Sequence, residues 1–119
     1  MHFQYGDGFY VVDLEGVMRR YDINNNSWEF ITNYPSSVNA DGIAQVIGDK
    51  AFMGIFNFGA AFWEYDIPTN TWKSKNNFTG SIFETNMAHW QHNDRIYVLR
   101  TAETTSSNSE VWSFAPNEF

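Results

Sequence analysis

The sequence predicts an all-β protein built from a repeated unit of four short antiparallel strands, and three observations carry that expectation. The stretch Phe62-Trp63-Glu64-Tyr65-Asp66-Ile67-Pro68-Thr69-Asn70-Thr71-Trp72 reads as strand, tight turn, strand: aromatics suited to a pleated surface, then turn-forming Asp, Pro and Asn, then Thr and Trp opening a second strand. The same arrangement stands earlier as Met18-Arg19-Arg20-Tyr21-Asp22-Ile23-Asn24-Asn25-Asn26-Ser27-Trp28, with Tyr, Asp and Trp each recurring after 44 positions. A third, incomplete copy is Val111-Trp112-Ser113-Phe114-Ala115-Pro116-Asn117, with Phe114 in the Tyr place. Self-similarity at such a period is the mark of a repeat architecture. Finally, 11 Phe, 6 Tyr and 5 Trp make 18% of the 119 residues aromatic, which suits layered β packing better than a helical bundle.

Working back from each Tyr-Asp pair exposes a second repeated hairpin. Its turns are Gly6-Asp7-Gly8, Gly48-Asp49-Lys50 and Asn93-Asp94-Arg95, built from residues that tolerate the positive φ of short hairpin turns. Each is followed by a continuous apolar run: Phe9-Tyr10-Val11-Val12, Ala51-Phe52-Met53-Gly54-Ile55 and Ile96-Tyr97-Val98-Leu99. Continuous apolarity indicates a strand covered on both faces. The first unit is expected to hold strands at 1–5, 8–13, 16–22 and 27–32, and the second at 42–47, 50–56, 61–66 and 71–76. The third holds 86–91, 95–101 and 110–115, and its fourth strand would open with a Trp about two residues past Phe119. Connectors fall at 34–41 and 76–85, and 101–109 reads as a Ser/Thr-rich insertion between two strands of the third unit.

A four-stranded unit of ~45–50 residues that leaves few exposed edges by radial repetition is a propeller blade. The residues Gly48-Asp49-Lys50-Ala51-Phe52 and the Phe62-to-Trp72 stretch resemble the kelch-repeat propellers, particularly the bacterial and galactose-oxidase-like kind. The likeness covers nearly the whole chain, as three blades at about 1–34, 41–78 and 86–119, the last lacking its outer strand. It departs at the double glycine that family members carry after the second strand: Gly54 stands there, but Phe56 occupies the other place. The resemblance implies that Trp28 and Trp72 pack between adjacent blades with Tyr21 and Tyr65 buttressing them. Asp22 and Asp66 begin turns and are expected to bond backbone amides there. The resemblance also implies interaction work, often outside the cytoplasm. Met1-His2-Phe3-Gln4-Tyr5 lacks a basic-then-apolar signal pattern, so a targeting segment would lie outside this chain.

Composition narrows the chemistry. Seven basic against 14 acidic residues give a formal charge of −7, which repels nucleic acid and anionic membranes. No apolar run approaches the ~20 residues of a membrane span. With no cysteine, disulfides, thiolate metal sites and cysteine nucleophiles are excluded. The copper site of galactose-oxidase-like relatives, which needs a tyrosine cross-linked to cysteine, cannot form. No cofactor and no metal site is expected: His2, His89 and His92 show no ligand spacing, and His2 and His89 fall on channel-lining strands as hydrogen-bonded residues.

Surface recognition remains. The loops joining second to third strands and blade to blade share one face of the fold that the resemblance implies. Tyr34, Asn57, Phe58, Phe83, Glu84 and Arg100 are the candidate ligand-binding residues there, because loop aromatics beside Asn and charged groups suit a peptide or a glycan. The expected function is non-catalytic binding of a protein or carbohydrate partner. Two alternatives stand beside it. A sugar-processing enzyme of the mutarotase or epimerase kind would bring Arg100, Glu103, Glu84 and His89 to one mouth. A purely structural segment of a larger propeller would have no site of its own. Three blades cannot enclose a channel, so the chain is expected to form a six-bladed homodimer-like ring or to be the C-terminal blades of a longer exported protein.

Overall fold

Left-handed backbone at the hairpin turns sets the architecture. Gly6, Gly48, Asn93 and Asp94 all lie at φ between 49° and 61°, and each reverses the chain between the first two strands of a unit. The computed structural model describes residues 1–102 and 105–118. These hold strands and turns and no helix. β1 (His2–Tyr5), β2 (Gly8–Val12), β3 (Val17–Asp22) and β4 (Ser27–Asn33) pair antiparallel, in chain order, as one sheet. β5 (Ile43–Ile47), β6 (Lys50–Phe56), β7 (Gly59–Asp66) and β8 (Thr71–Ser74) form a second. β9 (Glu84–His92), β10 (Arg95–Ala102) and β11 (Thr105–Phe114) form a third, with β11 at its outer edge. The opening strands are neighbours, β1 beside β5 and β5 beside β9, so the sheets follow one another as three blades along a common inner edge.

The outer hairpins explain the repeated Tyr-Asp…Trp element. Asp22 Oδ1 accepts the amides of Asn24 and Asn25 at 2.9 and 3.2 Å, and Asp66 Oδ1 accepts that of Thr69 at 3.1 Å. Tyr21 donates its hydroxyl to Asn26 at 2.5 Å and Tyr65 to Asn70 at 2.9 Å, and both asparagines are left-handed, at φ 49° and 54°. The turn asparagine was not singled out from the sequence, although it stands at the same place in both copies.

Two apolar layers hold the blades together. Phe3, Tyr10, Val12 and Met18 of the first blade meet Ala44, Ala51, Met53 and Tyr65 of the second, with Trp63 and Trp72 packed against them. On its other face the second blade presents Ile43, Phe52, Ile55 and Phe62 to Ile96 and Val98 of the third. Each fully buried apolar side chain of this size contributes about 1.5–3 kcal/mol.

Trp28 departs from the inter-blade packing expected of it. It touches Tyr21 at 5.2 Å but is 58% exposed, because among the described residues no sheet covers the face of the first blade that carries it. Trp72 sits at the same repeat position and is covered by the first blade. The 101–109 stretch also differs from an inserted loop. β10 runs to Ala102 and β11 begins at Thr105, so the extra residues lengthen the hairpin, as β-branched Thr101 and Thr105 favour.

Candidate recognition face

Three loops converge at one end of the second and third blades. Asn39 in the first connector donates its side-chain amide to the Asn57 carbonyl at 2.9 Å, and the Asn57 amide donates to the Ala40 carbonyl at 3.3 Å. The Phe58 amide donates to the Ile82 carbonyl in the second connector at 2.8 Å. The β6–β7 turn is therefore held from both sides. Phe58 lies at φ 62°, a conformation that costs a bulky residue about 1–2 kcal/mol. That backbone aims its ring outward. Phe58 and Phe83 then meet edge-to-face at 5.8 Å, and they remain 55% and 66% exposed.

The six candidate residues separate into distinct environments. Phe58 and Phe83 come together on the surface, and Asn57 stands next to them in the same turn. Tyr34 is buried in the first apolar layer, where its hydroxyl donates to the Met53 carbonyl at 3.3 Å and burial raises its pKa to about 12. Arg100 and Glu84 come together, but inside. Arg100 is wholly buried, with its guanidinium 4.9 Å from the Phe78 ring and 3.5 Å from Glu84 Oε2. It donates to the carbonyls of Ser81 and Glu84, each at 2.9 Å, and to the Asn86 side chain. Asn86 in turn donates to the carbonyls of Asp41 and Ile55, each at 2.5 Å. Burial lowers the Arg100 pKa, and the Glu84 carboxylate opposes that shift.

Arg100 is thus a strut that fixes the second connector, on which Phe83 rides, to both blades. Sequence reasoning missed Asn86, the other half of that strut. The signal lies in the repeat register, where Arg100 occupies the place of buried Ile55 and both fall at a strand irregularity.

His89 Nδ1 accepts a hydrogen bond from the Gln45 side-chain amide at 2.6 Å along the inner edge. Burial holds its pKa below the usual histidine value, with His2 and the chain's amino terminus acting in the same direction. Among the described residues no group of three or more acidic or histidine side chains is placed to hold a metal ion. Glu103, the fourth member of the sugar-processing constellation, lies outside the described residues.

Comparisons with known proteins agree on the fold. No protein-family model matches the sequence, and no curated relative does. Among solved structures the chain is similar to YjhT, with 16% identity over 82% of this chain and a TM-score of 0.64. It is also similar to the N-terminal domain of Nup159, with 11% identity over 97% of this chain and a TM-score of 0.55. Both are propellers, and this chain is an all-β protein of about three propeller blades. It spans about a third of either structure, 32% of the first and 30% of the second.

Proposed function

We propose that this chain is a kelch-type recognition scaffold that binds a protein or carbohydrate partner through the loops at one end of its blades. The Phe58–Phe83 pair carries this reading. Two exposed rings, fixed by backbone hydrogen bonds and by a strained φ, form an anchor that needs little ordering when a partner arrives. Aromatic anchors of this kind dominate binding energy at interfaces. Asn39 and Asn57 brace the turn that carries the pair.

A peptide pull-down and a glycan array, each repeated with Phe58→Ala and Phe83→Ala, test the reading and separate the two partner classes. Either substitution should weaken capture at least tenfold while leaving the melting temperature within a few degrees of the parent, since exposed positions usually change stability by under ~0.5 kcal/mol. Capture that persists in the double variant would remove the aromatic pair from the site.

The same reading includes closure of the ring by a second copy of the chain. Phe9, Val11, Tyr21 and Trp28 on the open face of the first blade are the repeat counterparts of Ala51, Met53, Tyr65 and Trp72, which pack onto a preceding blade. Tyr97 and Val111 on the open face of the third blade are the counterparts of Phe52 and Phe62, which pack onto a following one. Each open face is therefore half of an interface that this chain already makes internally. Propellers run to about 4–8 blades, and six is the one multiple of three in that range. Two head-to-tail contacts related by a two-fold axis then close the ring.

A further inference from the structure

The end of the blades that carries Phe58 and Phe83 is formed, among the described residues, by the β2–β3 turn at 13–16, the connectors at 34–42 and 75–83, and the β6–β7 turn at 57–58. The charged residues of these segments are Asp13, Glu15, Asp41 and Lys75. Lys75 is turned inward, its ammonium 3.2 Å from Glu64 with both side chains only 8% exposed. Arg19 lies 2.8 Å from Asp13 and offsets that carboxylate, while the Arg100 guanidinium beside Glu84 is wholly buried. The exposed charge left at this end is negative. Asp41 brings part of it to the aromatic pair. It is exposed and follows Ala40, whose carbonyl accepts the Asn57 amide at 3.3 Å next to Phe58.

The side-chain amides around the rings are already engaged. Asn39 donates to the Asn57 carbonyl and accepts the Ala40 amide, each at 2.9 Å. Asn86 donates to the Asp41 and Ile55 carbonyls and accepts from Arg100. These are the groups that would read the hydroxyls of a sugar. What the surface offers instead is two exposed rings, set at 78° to each other, and a carboxylate. Ring faces and a carboxylate together attract a cation. We propose that the Phe58–Phe83 face binds an arginine-bearing peptide segment, whose guanidinium lies over the rings while Asp41 and Glu15 draw its charge. Arginine suits such a site better than lysine, because its planar group stacks on aromatic faces and is weakly hydrated. The proposal rests on the reading of this pair as the recognition site, and it narrows the partner from protein or carbohydrate to a cationic peptide.

The test uses a fluorescently labelled peptide of alternating arginine and glycine, and its counterpart with citrulline, the uncharged isostere of arginine. Each is added to the full chain and followed by anisotropy. The arginine peptide should bind saturably and at least tenfold tighter than the citrulline peptide, and should weaken between about 50 mM and about 500 mM salt. Phe83→Leu keeps an apolar side chain but no ring face, and should weaken binding about two- to fivefold. Asp41→Asn should weaken it about threefold; asparagine tolerates the φ of 64° at that position, so the fold is kept. Asp94→Asn removes the same charge from a turn at the opposite end and should leave binding unchanged, which separates the site from the general acidity of the chain. Equal binding of the two peptides, lost in Phe58→Ala, would overturn the cationic partner and leave the recognition face standing. Arginine-peptide binding unchanged in Phe58→Ala would overturn both. No binding at millimolar peptide, or equal losses in Asp41→Asn and Asp94→Asn, would overturn the proposal, and glycan capture lost in Phe58→Ala would then assign the face to a sugar.

Discussion

Arg100 shows how a single side chain can hold a surface it never reaches. Its guanidinium is buried among the Ser81 and Glu84 carbonyls, the Asn86 amide and the Phe78 ring. Arg100→Met should destabilise the chain by about 3–5 kcal/mol in urea unfolding, because the Glu84 carboxylate and two connector carbonyls lose their donor. A loss under ~1 kcal/mol would show that the connector is held by other means. A second residue-scale expectation concerns acid. Hydrogen bonds from the Thr69 hydroxyl and amide hold the Asp66 carboxyl below its usual value. The Val17 amide and Arg19 do the same for Asp13. Burial raises Glu64, but Lys50 at 2.6 Å and Lys75 at 3.2 Å outweigh it and the net shift is downward. Folded values below unfolded ones mean that this stabilisation is complete above the ordinary carboxylate range and lost as pH falls through the folded values. The urea midpoint should therefore hold from neutrality to about pH 5 and fall below about pH 4; a midpoint that rises on acidification would reverse the sign. Sequence alone identified Phe58 and Phe83 as loop aromatics. It did not separate them from Tyr34, because burial of a connector residue depends on the blade packed beneath it.

At the scale of elements, two glycines in one blade make different demands. Gly48 sits in the β5–β6 turn at φ 61° with open space around it, so Gly48→Ala should cost only the left-handed penalty of about 1–2 kcal/mol. Gly54 lies at φ 136° in β6, and an added Cβ would stand 2.2 Å from the Ala61 carbonyl oxygen of β7. Gly54→Ala must push the two central strands of the blade apart, and its melting temperature should fall well below that of Gly48→Ala. Equal melting temperatures would show that β6 and β7 separate easily. The irregularity after Gly54 places Ile55, at φ 53°, in the second apolar layer. Turn chemistry and apolar runs made the strands legible to within a few residues. The 101–109 stretch was not legible, because Ser and Thr serve a loop and an edge hairpin equally well.

At the scale of the whole molecule, the proposed ring closure turns on the open faces. Trp28 and Phe30 on the first blade are 58% and 62% exposed, and Met87, Trp90 and Val111 on the third are 62%, 40% and 60% exposed. Isolated chains usually carry contiguous apolar patches of no more than a few hundred Å², and these large exposed side chains fall on both flanks of the chain. The repeat spacing made the first face foreseeable, since a Trp stands in the first copy at the place where Trp72 packs between blades in the second. The partner was not foreseeable in the same way, because the face records the shape of a neighbouring blade and not which chain supplies it. Multi-angle light scattering at micromolar concentration tests the closed-ring account most directly. The account predicts a single species of twice the 13.8 kDa chain mass, which Trp28→Asp dissociates. A stable, monodisperse species of 13.8 kDa would contradict it.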